Sequence, residues 1–169
     1  MLTEKQINYI YHNSHGLPSG RDRFVYPVSS DVVIKLPIGG DTYQSHMELT
    51  FYEEILQPRQ SHLVARLIDY FILCTDEMFQ KEEDSIPVLY FERVEPLDPE
   101  VLDELDIMSL KEFCMLFYGE YEGLSYYYDL LDFCDETNLE DVIDHFPNWG
   151  ITNDYRLVCI DCGEVRYDC

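Results

Sequence analysis

The order of its apolar segments limits this 169-residue chain to a mixed α+β fold. Segments rich in β-branched and aromatic residues predict four strands, at 23–28, 31–36, 63–74 and 86–94. Between the second and third strands lies a segment, 42–57, in which apolar residues recur every four positions, as they do on one face of a helix. The first half is therefore predicted to form an antiparallel sheet with one helix.

Helical signals dominate the second half of the chain. Ser109-x-x-Glu112 and Thr137-x-x-Glu140 have the form of capping boxes, in which a hydroxyl and a carboxylate satisfy the first backbone N–H groups of a helix. Residues 151–169 predict two short strands joined as a hairpin, because apolar residues flank a polar turn. We expect a reduced helical part followed by a terminal β-hairpin.

The negative charge of the chain is concentrated in one stretch. The net charge is −23, and residues 95–144 contain sixteen Asp or Glu and a single basic residue, Lys111, which together give −15. Such a stretch repels nucleic acid and acidic membranes and favours cationic partners. It is also rich in Phe and Tyr, a mixture typical of interfaces, although charge runs are also common on solvated faces. We expect a basic protein partner to bind residues 95–144, with no direct binding to nucleic acid or membranes.

The sequence favours a cytoplasmic location. It contains no 18-residue apolar run and no signal-peptide pattern. Cys159-x-x-Cys162, followed by Cys169, could bind zinc or perform redox chemistry, but a zinc site needs a fourth ligand and a redox pair normally opens a helix after a strand. We therefore interpret these cysteines as strand residues beside a turn.

Several residues of types that bind phosphate groups or metal ions follow one another in the sequence. Gly20 precedes the first strand, where glycine backbone can approach a phosphate. Lys35 ends an apolar strand, and Glu48 lies on the following helix, where it can pair with Lys35. Asn148 and Asp161 stand thirteen residues apart, on either side of the predicted hairpin turn. Each has an ordinary structural explanation when taken alone, and only their joint order and spacing point to a shared site.

In this order the chain resembles the small protein-kinase-like proteins of bacteria and their phages. The resemblance covers residues 16–163 and implies a protein-kinase-like N-lobe, an antiparallel sheet with one Glu-bearing helix. It divides a single domain into a strand-rich nucleotide lobe at 16–94, an acidic helical part at 95–147 and a metal-loop hairpin at 148–169.

The resemblance implies ATP and Mg²⁺ as cofactors, held by the residues that match kinase motifs. Those residues are Gly20 at the phosphate loop, Lys35 at the α and β phosphates, Glu48 beside Lys35, Glu92 and Val94 at the adenine edge, and Asn148 and Asp161 at the metal. The kinase catalytic base stands five residues before the metal-binding Asn, and that position here is Ile143, which cannot take a proton. The neighbouring Asp144 could substitute for it.

Two functions remain open on these grounds. The loss of the usual base and the strong charge favour a pseudokinase that acts as an acidic interaction module or inhibitor. If the chain is phage-encoded, its partner in the host cytoplasm could be a nucleic-acid-binding or host-defence protein, bound by carboxylates that imitate DNA phosphates. The alternative is a small ATP- and Mg²⁺-dependent protein kinase or phosphotransferase with Asp144 as its base. Because the sequence ends six residues after Gly163, we expect no activation segment.

Overall fold

The computed structural model has an α+β fold with antiparallel sheets, which confirms the predicted fold class at that level. It describes residues 3, 5–7, 23–37, 42–73, 85–139, 142–143 and 145–162. The chain groups into two compact units, the first within residues 1–54 and 66–93 and the second within residues 55–65 and 94–169.

A four-stranded antiparallel sheet forms the basis of the first unit. Its strands are β1 (Arg23–Pro27), β2 (Val32–Pro37), β3 (Leu67–Leu73) and β4 (Ile86–Glu92). They lie in the order β1-β2-β4-β3. β1 and β2 form a hairpin, in which Val28 N–H donates to the carbonyl of Val32 at 2.9 Å across the turn.

The sheet has two faces, since successive side chains of a strand point in opposite directions. One face carries the apolar core of the unit, on which Ile7 of the N-terminal helical turn packs against residues such as Ile34 and Val88. The other face carries Lys35 and its direct cross-strand neighbour Leu89. Lys35 therefore points away from the apolar core and towards the helix that follows β2.

That helix is α1 (Tyr43–Thr50), which continues into a π-helical turn at Phe51–Ile55. This confirms most of the predicted helix at 42–57. Its buried positions Ser45, Glu48 and Leu49 fall at i, i+3 and i+4, so one helical face is turned inwards. A carboxylate on that inward face needs a charged partner, which is supplied by the sheet.

In its described residues, the second unit combines a smaller sheet with three α-helices and two short 3-10 turns. The strands β5 (Val94–Pro96), β6 (Trp149–Thr152) and β7 (Leu157–Cys159) lie in that order, and β6 with β7 forms the predicted terminal hairpin. The helices are α2 (Pro99–Glu104), α3 (Leu110–Tyr118) and α4 (Glu120–Thr137). None of the helices in the described ranges is long and apolar enough to cross a membrane.

One predicted helix start is correct and the other is wrong. Ser109 caps α3, because its hydroxyl accepts a hydrogen bond from Glu112 N–H at 3.2 Å. Thr137 does not begin a helix but is the last residue of α4, and its hydroxyl donates to the carbonyl of Phe133 at 2.6 Å within the same helix. Asn138 then ends the helix in the left-handed conformation, with φ of 55°.

The third predicted strand, at 63–74, is shorter than expected at its start. β3 begins only at Leu67, because the residues before it pair elsewhere. Ala65 N–H donates to the carbonyl of Cys159 at 2.8 Å, and Cys159 N–H donates to the carbonyl of Leu63 at 2.8 Å. This segment belongs to the second unit, where it flanks the terminal hairpin.

Candidate functional site

Three buried charged side chains meet in the first unit. Lys35 Nζ donates to Glu48 Oε1 at 2.7 Å, and Arg23 Nη1 contacts the other carboxylate oxygen, Oε2. Glu48 is fully buried, and Arg23 and Lys35 are 6% and 8% exposed. One carboxylate is therefore shared by two cations away from bulk water.

The sheet and α1 fix this cluster from opposite sides. Arg23 and Lys35 lie on adjacent antiparallel strands, and Glu48 faces them from the inward side of α1. The Lys35 ammonium also lies 4.6 Å from the centroid of the Phe91 ring, a favourable cation–π distance. Phe91 is in turn held by an edge contact with Tyr52, at 5.3 Å between ring centroids. The ammonium is thus held in a defined position, from which it can donate to an anion.

Arg23 was not predicted as a site residue. The sequence places it at the end of the Ser19-Gly20-Arg21-Asp22-Arg23 run before the first strand, which suggested only a phosphate loop around Gly20. Its contact with Glu48 depends on the pairing of β1 with β2, which brings residues 23 and 48 together across 25 positions of sequence. Gly20 itself lies outside the described residues.

The predicted adenine-edge residues, Glu92 and Val94, fall in different units. Glu92 exchanges hydrogen bonds with Arg66, since its N–H donates to the Arg66 carbonyl at 3.0 Å and its Oε1 accepts from Arg66 N–H at 2.8 Å. Val94 begins β5 and pairs with Thr152. The Glu92 side chain is therefore used to join β4 to the start of β3, and its predicted role in nucleotide binding stays a prediction.

The predicted metal residues, Asn148 and Asp161, stand at the open end of the terminal hairpin. Ile160 N–H donates to the carbonyl of Asn148 at 2.8 Å, so the segments that carry the two residues are joined directly. Both are partly buried. An amide oxygen and a carboxylate are the hard ligands that Mg²⁺ accepts, and Mg²⁺ commonly keeps few protein ligands. The residue types fit this ion, although no cluster of three or more His, Cys, Asp or Glu suited to a metal occurs in the described part of the chain.

Trp149 anchors this end of the hairpin. Its side chain is fully buried, and its Nε1–H donates to the carbonyl of Val142 at 2.9 Å. The Trp149 indole thereby ties β6 to the segment that contains Ile143, the position at which the kinase resemblance predicts a catalytic base. Ile143 is partly buried, and Asp144, the predicted substitute base, lies outside the described residues.

A second candidate site is the acidic surface, which we define as the carboxylates between residues 95 and 139. All thirteen described carboxylates in this range belong to exposed residues. They are Glu95, Asp98, Glu100, Asp103, Glu104, Asp106, Glu112, Glu120, Glu122, Asp129, Asp132, Asp135 and Glu136. Within the described ranges one of them forms an ion pair, Glu136 with Arg59 at 2.8 Å.

Large apolar side chains are exposed among these carboxylates. Tyr121 and Tyr128 of α4 are 87% and 53% exposed, and Leu116 of α3 is 69% exposed. On α4, Tyr121 and Tyr128 are seven residues apart and therefore share one helical face. Glu122 and Asp129 follow them directly, about 100° further round the helix, so a row of carboxylates lies beside the row of aromatic rings on the exposed side of α4.

No protein-family model matches this chain, and no curated protein shows significant sequence similarity to it. The features of the chain that bear on its function are the buried charge cluster, the hairpin residues and the acidic surface.

Proposed function

We propose that this protein is a kinase-like binding module that docks a basic protein through its acidic surface. The observation that carries the proposal is the set of thirteen exposed carboxylates between residues 95 and 139, of which one has a cationic partner among the described residues. Like charges held on one surface repel one another and destabilise the compact state. A partner rich in Lys and Arg relieves this repulsion and is attracted from a distance.

The exposed tyrosines support a protein partner over a passive solvated surface. Aromatic side chains are enriched at interfaces, where they bury a large area at a low cost in conformational entropy. Tyr121 and Tyr128 provide such rings in a row on α4 that lies beside the row of Glu122 and Asp129. A solvated face formed by charge alone would not require exposed rings between its carboxylates.

The spacing along α4 favours a partner that normally binds DNA. Glu122, Asp129 and Glu136 recur every seven residues, which is roughly 10.5 Å along a helix. The phosphates of one DNA strand advance about 10 Å along the helix axis over three base-pair steps. A basic groove that spans phosphates at that interval would meet carboxylates at a similar interval here.

The kinase-like part of the proposal rests on the Lys35–Glu48 contact. An ion pair between a strand Lys and a helix Glu is a required feature of active protein kinases, and here the pair is buried and 2.7 Å long. The base position is occupied by Ile143, which favours a scaffold without phosphotransfer.

The docking proposal is tested with a 20-residue Arg-rich helical peptide as the probe. A variant with Glu122→Gln, Asp129→Asn and Asp132→Asn should bind this peptide roughly tenfold more weakly than the natural chain, because three exposed pairs at about 0.5 kcal/mol each are lost. The matched control neutralises three exposed carboxylates of the first unit, Asp31, Glu54 and Asp69.

The control variant should retain nearly the full affinity, as measured by isothermal titration at two salt concentrations. Equal weakening in both variants would show that only the net charge matters, and the acidic surface would then not be a docking site. Unchanged binding in both variants would reject the proposal as a whole.

A second function, ATP-dependent phosphotransfer, is supported by the same buried Lys35–Glu48 pair. In this alternative Lys35 would hold the nucleotide phosphates, Asn148 and Asp161 would hold Mg²⁺, and Asp144 would serve as the base. Bound Mg²⁺ would supply neutralisation of phosphate charge. The contribution of the chain would be to position these groups.

Thermal unfolding with and without millimolar Mg-ATP separates the two functions, because a ligand that binds the folded state raises the midpoint. A rise that is abolished by Lys35→Ala or Asp161→Ala, together with transfer of labelled phosphate, would establish the alternative. A rise without transfer would indicate a nucleotide-binding regulator. An unchanged midpoint would leave the docking function alone.

A further inference from the structure

Two thiols lie side by side at the end of the terminal hairpin. Cys159 Sγ and Cys162 Sγ are 3.7 Å apart, and both side chains are fully buried. Cys159 is the last residue of β7, and its backbone is fixed by hydrogen bonds with Leu63 and Ala65. One thiol is therefore rigidly placed, and the other follows it after two residues.

This geometry is close to that of a disulfide. A disulfide brings its sulfurs to about 2.05 Å, so the two sulfurs must approach by roughly 1.7 Å, a distance within the range of side-chain rotation. The ring closes over four residues, for which the loop-closure entropy is small. We propose that Cys159 and Cys162 form a reversible disulfide. The oxidant is a low-molecular-weight disulfide such as glutathione disulfide.

The reaction proceeds by two exchanges. The thiolate of one cysteine attacks the S–S bond of glutathione disulfide, which forms a mixed disulfide and releases one glutathione thiolate. The thiolate of the second cysteine attacks the protein sulfur of that mixed disulfide and releases the other glutathione thiolate. The two protons lost by the protein end on the two glutathione thiols. The protein is oxidised by two electrons, and the oxidant is reduced to two molecules of glutathione. Because both thiols are buried, the first attack requires local opening of the hairpin end.

The disulfide would change the backbone conformation of Asp161, which lies between the two cysteines. Cys159 Sγ–H donates to the backbone carbonyl of Asp161 at 3.6 Å. Formation of the disulfide removes this S–H group, and the closed ring then contains Asp161. The oxidation state thus sets the backbone conformation of Asp161, whatever ligand that residue binds, so this inference does not depend on the proposed function.

A third buried thiol, Cys134, competes poorly for the same reaction. Burial, and to a lesser degree the neighbouring Cys159 and Asp135, raise the pKa of Cys134 to about 12, so its thiol remains protonated near neutral pH. Thiol–disulfide exchange needs the thiolate as the attacking group. The pair Cys159–Cys162 is expected in preference to a pair of either residue with Cys134 because its two sulfurs are already 3.7 Å apart.

The test uses the full chain incubated with an excess of glutathione disulfide, followed by thiol counting in denaturant and by peptide mapping. The six thiols of the reduced chain should fall to four, with one disulfide mapped to Cys159 and Cys162. A Cys162→Ser variant should form no intramolecular disulfide, whereas a Cys114→Ser variant should still lose two thiols. Retention of all six thiols, or mapping of the disulfide to another pair, would overturn the proposal even if Cys162→Ser failed to fold.

The effect on Asp161 is measured separately by nuclear magnetic resonance. Oxidation of the natural chain should shift the backbone amide signals of Asp161 and of Asn148, whose carbonyl accepts a hydrogen bond from Ile160 N–H. The same signals should stay unchanged in Cys162→Ser. Signals that stay in place after the disulfide has formed would refute the control of Asp161.

Discussion

Replacement of Glu48 by Gln tests whether the buried charges depend on one carboxylate. The carboxylate receives two charge-assisted contacts, from Lys35 and from Arg23, and all three side chains are at least nine-tenths buried. Loss of one partner from a buried ion pair costs about 3–5 kcal/mol, because the remaining charge is left without compensation. In Glu48→Gln two cations lose their counter-charge, so we expect a loss in this range.

Lys35→Met should cost less, although it affects the same cluster. Glu48 keeps its contact with Arg23 in this variant, so the carboxylate is still paired, and the expected loss is about 1–3 kcal/mol. The double variant Lys35→Met/Glu48→Gln should be less destabilised than the sum of the two single variants, since both remove the same contact. Glu54→Gln, an exposed residue at the end of the same helical segment, serves as the control and should change stability by no more than about 0.5 kcal/mol.

Urea unfolding monitored by circular dichroism measures these differences through the midpoint, provided that the slope m is unchanged. A Glu48→Gln variant within about 1 kcal/mol of the natural chain would refute the reasoning. A Lys35→Met variant as unstable as Glu48→Gln would show that Arg23 does not compensate Glu48.

Two further predictions concern residues of the second unit. Gly123→Ala should destabilise the chain by about 2 kcal/mol or more in the same urea assay, because an added Cβ would meet the backbone carbonyl of Cys114, whereas Ser125→Ala on the exposed side of α4 should have little effect. Burial raises the pKa values of Cys114 and Cys134 from 9.0 to about 12, so above pH 9 the unfolded chain binds fewer protons than the folded chain. The free energy of unfolding should therefore fall as the pH rises from about 9 to about 12, and a double Cys→Ala variant should lose part of this slope.

Local patterns in the sequence predicted much of the fold. The content of β-branched and aromatic residues predicted β1 and β2, and the i, i+4 spacing of apolar residues predicted α1. Both signals are local, because each lies within a short stretch of sequence. The Ser109 cap was equally local. The same motif at Thr137 was misleading, because the hydroxyl there is satisfied by the carbonyl of Phe133 one turn earlier in α4. A capping pattern cannot by itself distinguish the start of a helix from its end.

The candidate site was only partly accessible to sequence reasoning. The likeness to kinase motifs indicated that Lys35 and Glu48 could pair, and they do form a contact. The participation of Arg23 and the proximity of Cys159 to Cys162 depend on strand pairing and on backbone hydrogen bonds to Leu63 and Ala65. Such contacts form only when segments that are distant in sequence come together in the folded chain. Local residue types and spacings therefore do not predict them.

The charged side chains of the described residues are divided unevenly between the interior and the surface. Among the described residues, the buried charged side chains are Arg23, Lys35 and Glu48, and all three belong to one cluster. Buried ion pairs are often no more stable than apolar residues of similar volume, so stability alone does not explain the cluster. The other charged side chains of the described residues are at least partly exposed, including every described carboxylate of the acidic surface. A fixed ammonium beside a buried carboxylate is the arrangement that the proposed kinase-like module requires, and the stability of the fold does not by itself require it.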